Sequence, residues 1–216
     1  MTSWHALERA ELVQVLTEAG PDAPTLCSGW RSRHLAAHVV LRERSLVVPV
    51  GLGLPPLADR AEHAIDDLAE AASTPEGYSA LLARVAEGPA GWHPLAWAGE
   101  LTNVLEFFVH AEDVRRGDGD GEPRALDAAR TDMLWRQLVR MAPLPYRGPG
   151  TGVVLVRPDG VRRAVRRPSA GRGTVVVRGD VGELVLHAFG RGEAAHVTLE
   201  GAPDDVRALQ DMLPGG

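Results

Sequence analysis

The stretch Leu105–Arg116, LEFFVHAEDVRR, is apolar enough for a core helix, yet it carries Glu106, His110 and Asp113. On a helix turning about 100° per residue, with Glu106 at zero, His110, Asp113 and Asn103 fall at about 40°, 340° and 60°. The four form one polar stripe roughly 80° wide, bordered by Phe107 and Val114 on one side and by Val109 on the other. Glu112 and Arg116 fall at about 240° and 280°, so the pattern predicts a solvent strip there and a separate, inward polar stripe. Carboxylates and imidazoles set between apolar flanks are costly unless paired or metal-bound, which makes the inward stripe a candidate site.

Glu106 and His110 lie one turn apart on one face and can point at a single ion. The spacing alone is common, and its plain alternative is a Glu-His surface pair. A third ligand must come from another helix. The segment HLAAHVV offers His38, flanked by Ala37 and Val39 and more than a turn inside its helix. His34 sits one turn earlier, where solvent or capping can satisfy it. Two imidazoles and a carboxylate leave coordination positions open, as catalytic metal sites do. Zinc suits this set best; nickel, iron and manganese are also compatible. Asp113 and Asn103 either orient a ligand imidazole or, for Asp113, pair with Arg116.

Outward from this helix, the pattern predicts helices over 2–19, from Ser32 as N-cap to a stop before Pro49, over 57–72, from Thr74-Pro75 to Gly88, over 98–116, and from Asp127 through Met141. Beyond Pro149 the pattern changes. VVLVRPDGVRRAV reads as two strands joined by a PDG turn, TVVVRG as a third strand, and AHVTLEG as a fourth, with GELVLHAFG and PDDVRALQDML helical. The expected class is α+β, with a helical bundle over 1–146 and a small α/β domain over 147–216.

The 216 residues are 44% hydrophobic, enough for a real core. No apolar run approaches a membrane span and the first residues lack the order of a signal peptide, so a cytoplasmic location is the default expectation. Cys27 is the sole cysteine, which excludes an internal disulfide and any CxxC metal knuckle. The formal charge of −6 argues against nucleic acid as a partner. The basic residues are all arginine, and six lie between Arg157 and Arg172 with Asp159 as the lone acid. That run is either a solvated face or an anion contact. Cys27 reads as a buried structural thiol that could approach a metal at His38. Trp30, Trp92, Trp97 and Trp135 read as packing residues, with Trp30 or Trp92 secondarily at a pocket mouth. His5, His63, His93, His187 and His196 read as surface or packing histidines.

Together, TLCSGWRSRHLAAHVV, LEFFVHAEDVRR and GELVLHAFGR followed by VTLEG resemble the mycothiol-dependent maleylpyruvate isomerase-like proteins of the DinB-like superfamily, over nearly the whole chain. The resemblance implies a DinB-like four-helix bundle whose His, Glu and His ligands would fall on His38, Glu106 and His110. It also implies a C-terminal domain similar to sterol carrier proteins, with Arg191 in its GR motif as a cofactor contact. Mycothiol is then the expected cofactor beside a divalent metal, and a small electrophilic or anionic molecule the expected substrate. Isomerisation and thiol transfer are both compatible with such a site. The alternatives are a noncatalytic metal- or small-ligand-binding protein that retains the site, and a carrier of an apolar ligand.

Overall fold

The computed structural model describes residues 3–44, 55–89, 94–119, 121–148 and 150–213. The connection 45–54, Trp92 and His93 lie outside the described residues, as does the side chain of Trp97. The chain divides into two compact units, Met1–Gly121 and Glu122–Gly216.

The first unit is helical: α1 (Trp4–Ala19), α2 (Ser32–Arg44), α3 (Pro55–Ala71), α4 (Pro75–Glu87) and α5 (Pro94–Arg115). Local signals account for several of the ends. Gly20 takes φ 78° and its N–H bonds the Leu16 carbonyl, closing α1 with a conformation that suits glycine. Thr74 caps α4 by accepting from the Gly77 N–H at 3.1 Å, with Pro75 in the first turn. Ser32, expected as an N-cap, is instead the first helical residue; its N–H and hydroxyl both donate to the Ala23 carbonyl. α1 packs along α5 and α4, and α2 along α3, α4 and α5. Leu12, Leu16, Leu35, Val39, Leu81, Val85, Phe107 and Ala111 form the centre of the core.

The solvent strip expected at Glu112 and Arg116 of α5 is absent. Glu112 is fully buried and Arg116 is 2% exposed, and the two pair at 2.9 Å. From Asn103 to Val114 every residue except Glu106 is buried, so this part of α5 is enclosed on all sides. Charge on a helix face predicts solvent only when nothing else can satisfy it. Here each charge has its counterion one turn away.

The second unit contains α6 (Ala128–Met141), β1 (Gly152–Val156), β2 (Arg162–Arg166), β3 (Thr174–Arg178), α7 (Val181–Ala188), β4 (Thr198–Glu200) and α8 (Pro203–Met212). Its mixed sheet has the order β2-β1-β3-β4, with β1 antiparallel to β2, parallel to β3, and β3 antiparallel to β4. GVVLV is almost continuously apolar because β1 is a central strand with buried faces. RRAVR is an edge strand, and its arginines keep that edge charged. The PDG turn forms as expected: Gly160 has φ 84°, and the Arg157 N–H bonds the Val161 carbonyl at 2.9 Å. Asp127 caps α6 through the Arg130 N–H at 2.8 Å.

Helix α6 falls in the second compact unit and packs on α7. Amphipathic spacing identifies the buried side of α6, Met133, Leu134 and Leu138, but not which partner covers it. The protein is α+β, a helical N-terminal region followed by a mixed four-stranded sheet with helices.

Candidate metal centre

Two helices and one loop build the site within the first unit. His38 is one and a half turns into α2, and Glu106, His110 and Asp113 follow the inward stripe of α5. The loop before α2 is pinned to the end of α5: the Leu26 N–H bonds the Asp113 carbonyl at 2.9 Å. Gly117 permits that approach, since a Cβ there would stand 2.0 Å from the Pro24 carbonyl oxygen. Within the loop the Thr25 hydroxyl donates to the Trp30 carbonyl and accepts from the Cys27 N–H, which fixes Cys27 beside Asp113.

One ligand atom from each of His38, Glu106 and His110 lies within 4.8 Å of the other two. Glu106 Oε1 stands 3.2 Å from His110 Nε2 and 3.7 Å from His38 Nε2. The imidazoles meet edge to face at 5.3 Å, and the Trp30 ring lies 5.2 Å from His38. A second group, Cys27, His110 and Asp113, meets the same distance condition. There Asp113 Oδ2 accepts from His110 Nδ1 at 2.9 Å and from the Cys27 thiol at 3.3 Å. His110 thus has two different sides, Nδ1 held by a fully buried carboxylate and Nε2 directed at Glu106.

The charges are mutually arranged. Burial works against ionised Glu106, but hydrogen bonds from His110 and His38 outweigh it and hold its carboxyl well below the usual range. Burial likewise opposes a charged His110, and the bonds to Asp113 and Glu106 overcome it, raising its pKa to about 9. His38 is lowered, chiefly by burial, which keeps its imidazole neutral and its lone pair available. Neutral His38 and ionised Glu106, together with His110 once its Nε2 proton is released, form a donor set that suits a divalent cation. The orientation of His110 by Asp113 matches the carboxylate partner that metal-binding histidines use.

The structure brings His38, Glu106 and His110 together and leaves His34 outside, its Nδ1 accepting from the Arg31 N–H at 3.2 Å. Asp113 reaches His110 and Cys27, while Arg116 is taken by Glu112. Arg42 escaped the sequence reading. Its Nε lies 3.6 Å from Glu106 Oε1 and its terminal nitrogen donates to Asn103 Oδ1 at 2.8 Å. The available signal was its position one turn after His38 on the same helix face. Arg191 lies in the second unit, where its guanidinium donates to the Phe189 carbonyl at 2.7 Å. His187 is buried there with its Nδ1 2.8 Å from the Tyr146 hydroxyl, a packing role as expected.

A helical unit with convergent His and carboxylate donors, followed by a mixed sheet, defines the class of protein. The chain belongs to the mycothiol maleylpyruvate isomerase N-terminal domain family, which matches residues 3–139. The fold is similar to the crystal structure of the mycothiol-dependent maleylpyruvate isomerase, at 18% identity and a TM-score of 0.50, over 93% of this chain and 92% of that one. A histidine-to-alanine mutant of that enzyme matches over the same shares at a TM-score of 0.51 and 18% identity. No curated protein matches the sequence.

Proposed function

We propose that the protein is a metal-dependent enzyme of low-molecular-weight thiol chemistry, with His38, Glu106 and His110 as the ligands of one divalent cation, zinc by preference. The observation that carries this reading is the convergence of these three donors around a His110 ring whose Nδ1 is held by buried Asp113. Family membership and the similarity to a mycothiol-dependent isomerase support mycothiol as the thiol and an isomerisation or thiol transfer as the reaction.

The residues divide the work. His38, kept neutral by burial, and ionised Glu106 provide donors without first losing a proton. Asp113 fixes the His110 ring so that only Nε2 faces the centre. Arg42 steers the Glu106 carboxylate. A divalent cation at these donors supplies Lewis acidity that lowers the pKa of a thiol beside it, giving a nucleophile at neutral pH. Bound beside that cation, mycothiol would supply a sulfur nucleophile able to add to a conjugated cis double bond: its departure after rotation would leave the trans isomer, and its retention, with a proton taken up by the substrate, would be thiol transfer. Arg191 is proposed to contact an anionic group of the thiol cofactor, on the family resemblance of its GR motif.

Elemental analysis of the purified protein should give about one zinc-type metal per chain, and His110→Ala should remove it. The loaded protein should accelerate the reaction of mycothiol with maleylpyruvate or a model electrophile. Metal at full occupancy in the variant would overturn the ligand set; a loaded protein without thiol-dependent turnover would favour a noncatalytic binding protein.

A further inference from the structure

Four arginines of the second unit line one open groove of about 370 Å³ together with Trp135 and Val139. Arg136 and Arg140 lie one turn apart on α6, and Arg162 and Arg163 open the edge strand β2. All four are exposed, and none of their guanidinium groups has a hydrogen-bonding or ion-pairing partner among the described residues. The neighbouring cations are differently placed. Arg157 is neutralised by Asp132 at 2.8 Å and Asp159 at 2.9 Å, and lies over the Trp135 ring at 5.8 Å. Arg166 donates to the Tyr146 and Gly148 carbonyls. The acids closest in sequence, Asp132 and Asp159, are thus engaged by Arg157, and the groove keeps four uncompensated guanidinium groups in a chain whose net charge is −6.

We propose that this groove binds a small anion carrying two or more adjacent phosphate groups. Guanidinium forks match phosphate oxygens bidentately, and cations presented from two elements suit a ligand whose charges are spread over several oxygens. The volume lies at the lower end of small-molecule sites. A long nucleic-acid backbone would run beyond the groove onto a molecule that is acidic overall. The site uses none of His38, Glu106 or His110, so it stands whether or not the thiol chemistry does.

The test is calorimetric titration of the full chain at low ionic strength with inorganic tripolyphosphate, orthophosphate and a single-stranded DNA oligonucleotide. Saturable binding of one tripolyphosphate is expected, tighter than that of orthophosphate. Arg136→Ala and Arg163→Ala should each weaken it by about 10-fold or more, because each removes charge-assisted hydrogen bonds. Arg60→Ala, an exposed arginine of α3, should leave it unchanged and thereby control for loss of net charge. Absence of saturable binding, equal loss in Arg60→Ala, equal affinity for orthophosphate, or tighter binding of the oligonucleotide would overturn the proposal.

Discussion

At His110 the two ring nitrogens face different carboxylates, Nδ1 toward fully buried Asp113 and Nε2 toward partly exposed Glu106. The 340° position of Asp113 on the helix wheel showed that it shares the stripe, but its partner is three residues back because Arg116 is consumed by Glu112. Cys27, 86 residues away, also donates to that carboxylate, a contact invisible to local spacing. If Asp113 orients the imidazole, Asp113→Asn should weaken metal affinity about 10- to 100-fold while the helical circular dichroism spectrum stays the same. Competition against a chromophoric chelator measures this. An unchanged dissociation constant would remove Asp113 from the site and leave it a purely structural group.

At the scale of elements, the helices of the first unit are joined by polar contacts as well as by core packing. Arg9 on α1 reaches Glu43 on α2 through two hydrogen bonds, 2.7 and 2.5 Å long, donates to the Val85 carbonyl on α4, and lies 4.5 Å over the Phe107 ring of α5. Four helices thus meet at one guanidinium. Both partners are buried, Glu43 with only 1% of its side chain exposed. Arg9→Ala leaves that carboxylate uncompensated and should cost about 3–5 kcal/mol in urea unfolding, with Arg9→Ala combined with Glu43→Leu recovering much of the loss. A cost below about 1 kcal/mol would mean that water reaches the carboxylate. The boundaries of these helices were legible to within a few residues, since caps, prolines and glycines act locally. The burial of Arg9, Glu43, Glu112 and Arg116 was not, since a charged residue reads as solvated until a distant counterion is brought to it.

At the scale of the whole chain, stability has a pH dependence built into the second unit. His187 is buried and its pKa falls to about 4, chiefly through desolvation. Burial also raises the pKa of Tyr146, whose hydroxyl stays protonated and donates to the neutral His187 Nδ1. Because the folded value lies below the unfolded value of 6.5, the unfolded chain binds the extra proton between them. The contribution is therefore complete above that range and is lost as pH falls from about 6.5 toward 4, to a total of about 3 kcal/mol. Thermal unfolding of the parent and of His187→Gln over this range should show the variant with the flatter acid slope. Parallel slopes would contradict the assignment.

Among the described residues no helix is long and apolar enough to cross a membrane. The sequence by itself determined the alternation of helices and strands, the turn at Pro158–Gly160, and the stripe that sets Glu106 and His110 on one face, because hydrophobic period, capping and turn chemistry depend on residues a few positions apart. Only the tertiary structure decided that α6 packs in the second unit, that Asp113 serves His110 and Cys27, that Arg42 and Asn103 border Glu106, and that Arg136 and Arg140 share a groove with Arg162 and Arg163. The contacts of Asp113, Arg42 and Asn103 depend on which buried polar group meets which partner across tens of residues, and the placing of α6 and of the groove arginines on which element covers the apolar face of α6. Near-neighbour spacing carries no information about either choice, and the cost of an unpaired buried charge enforces the first once the chain has folded.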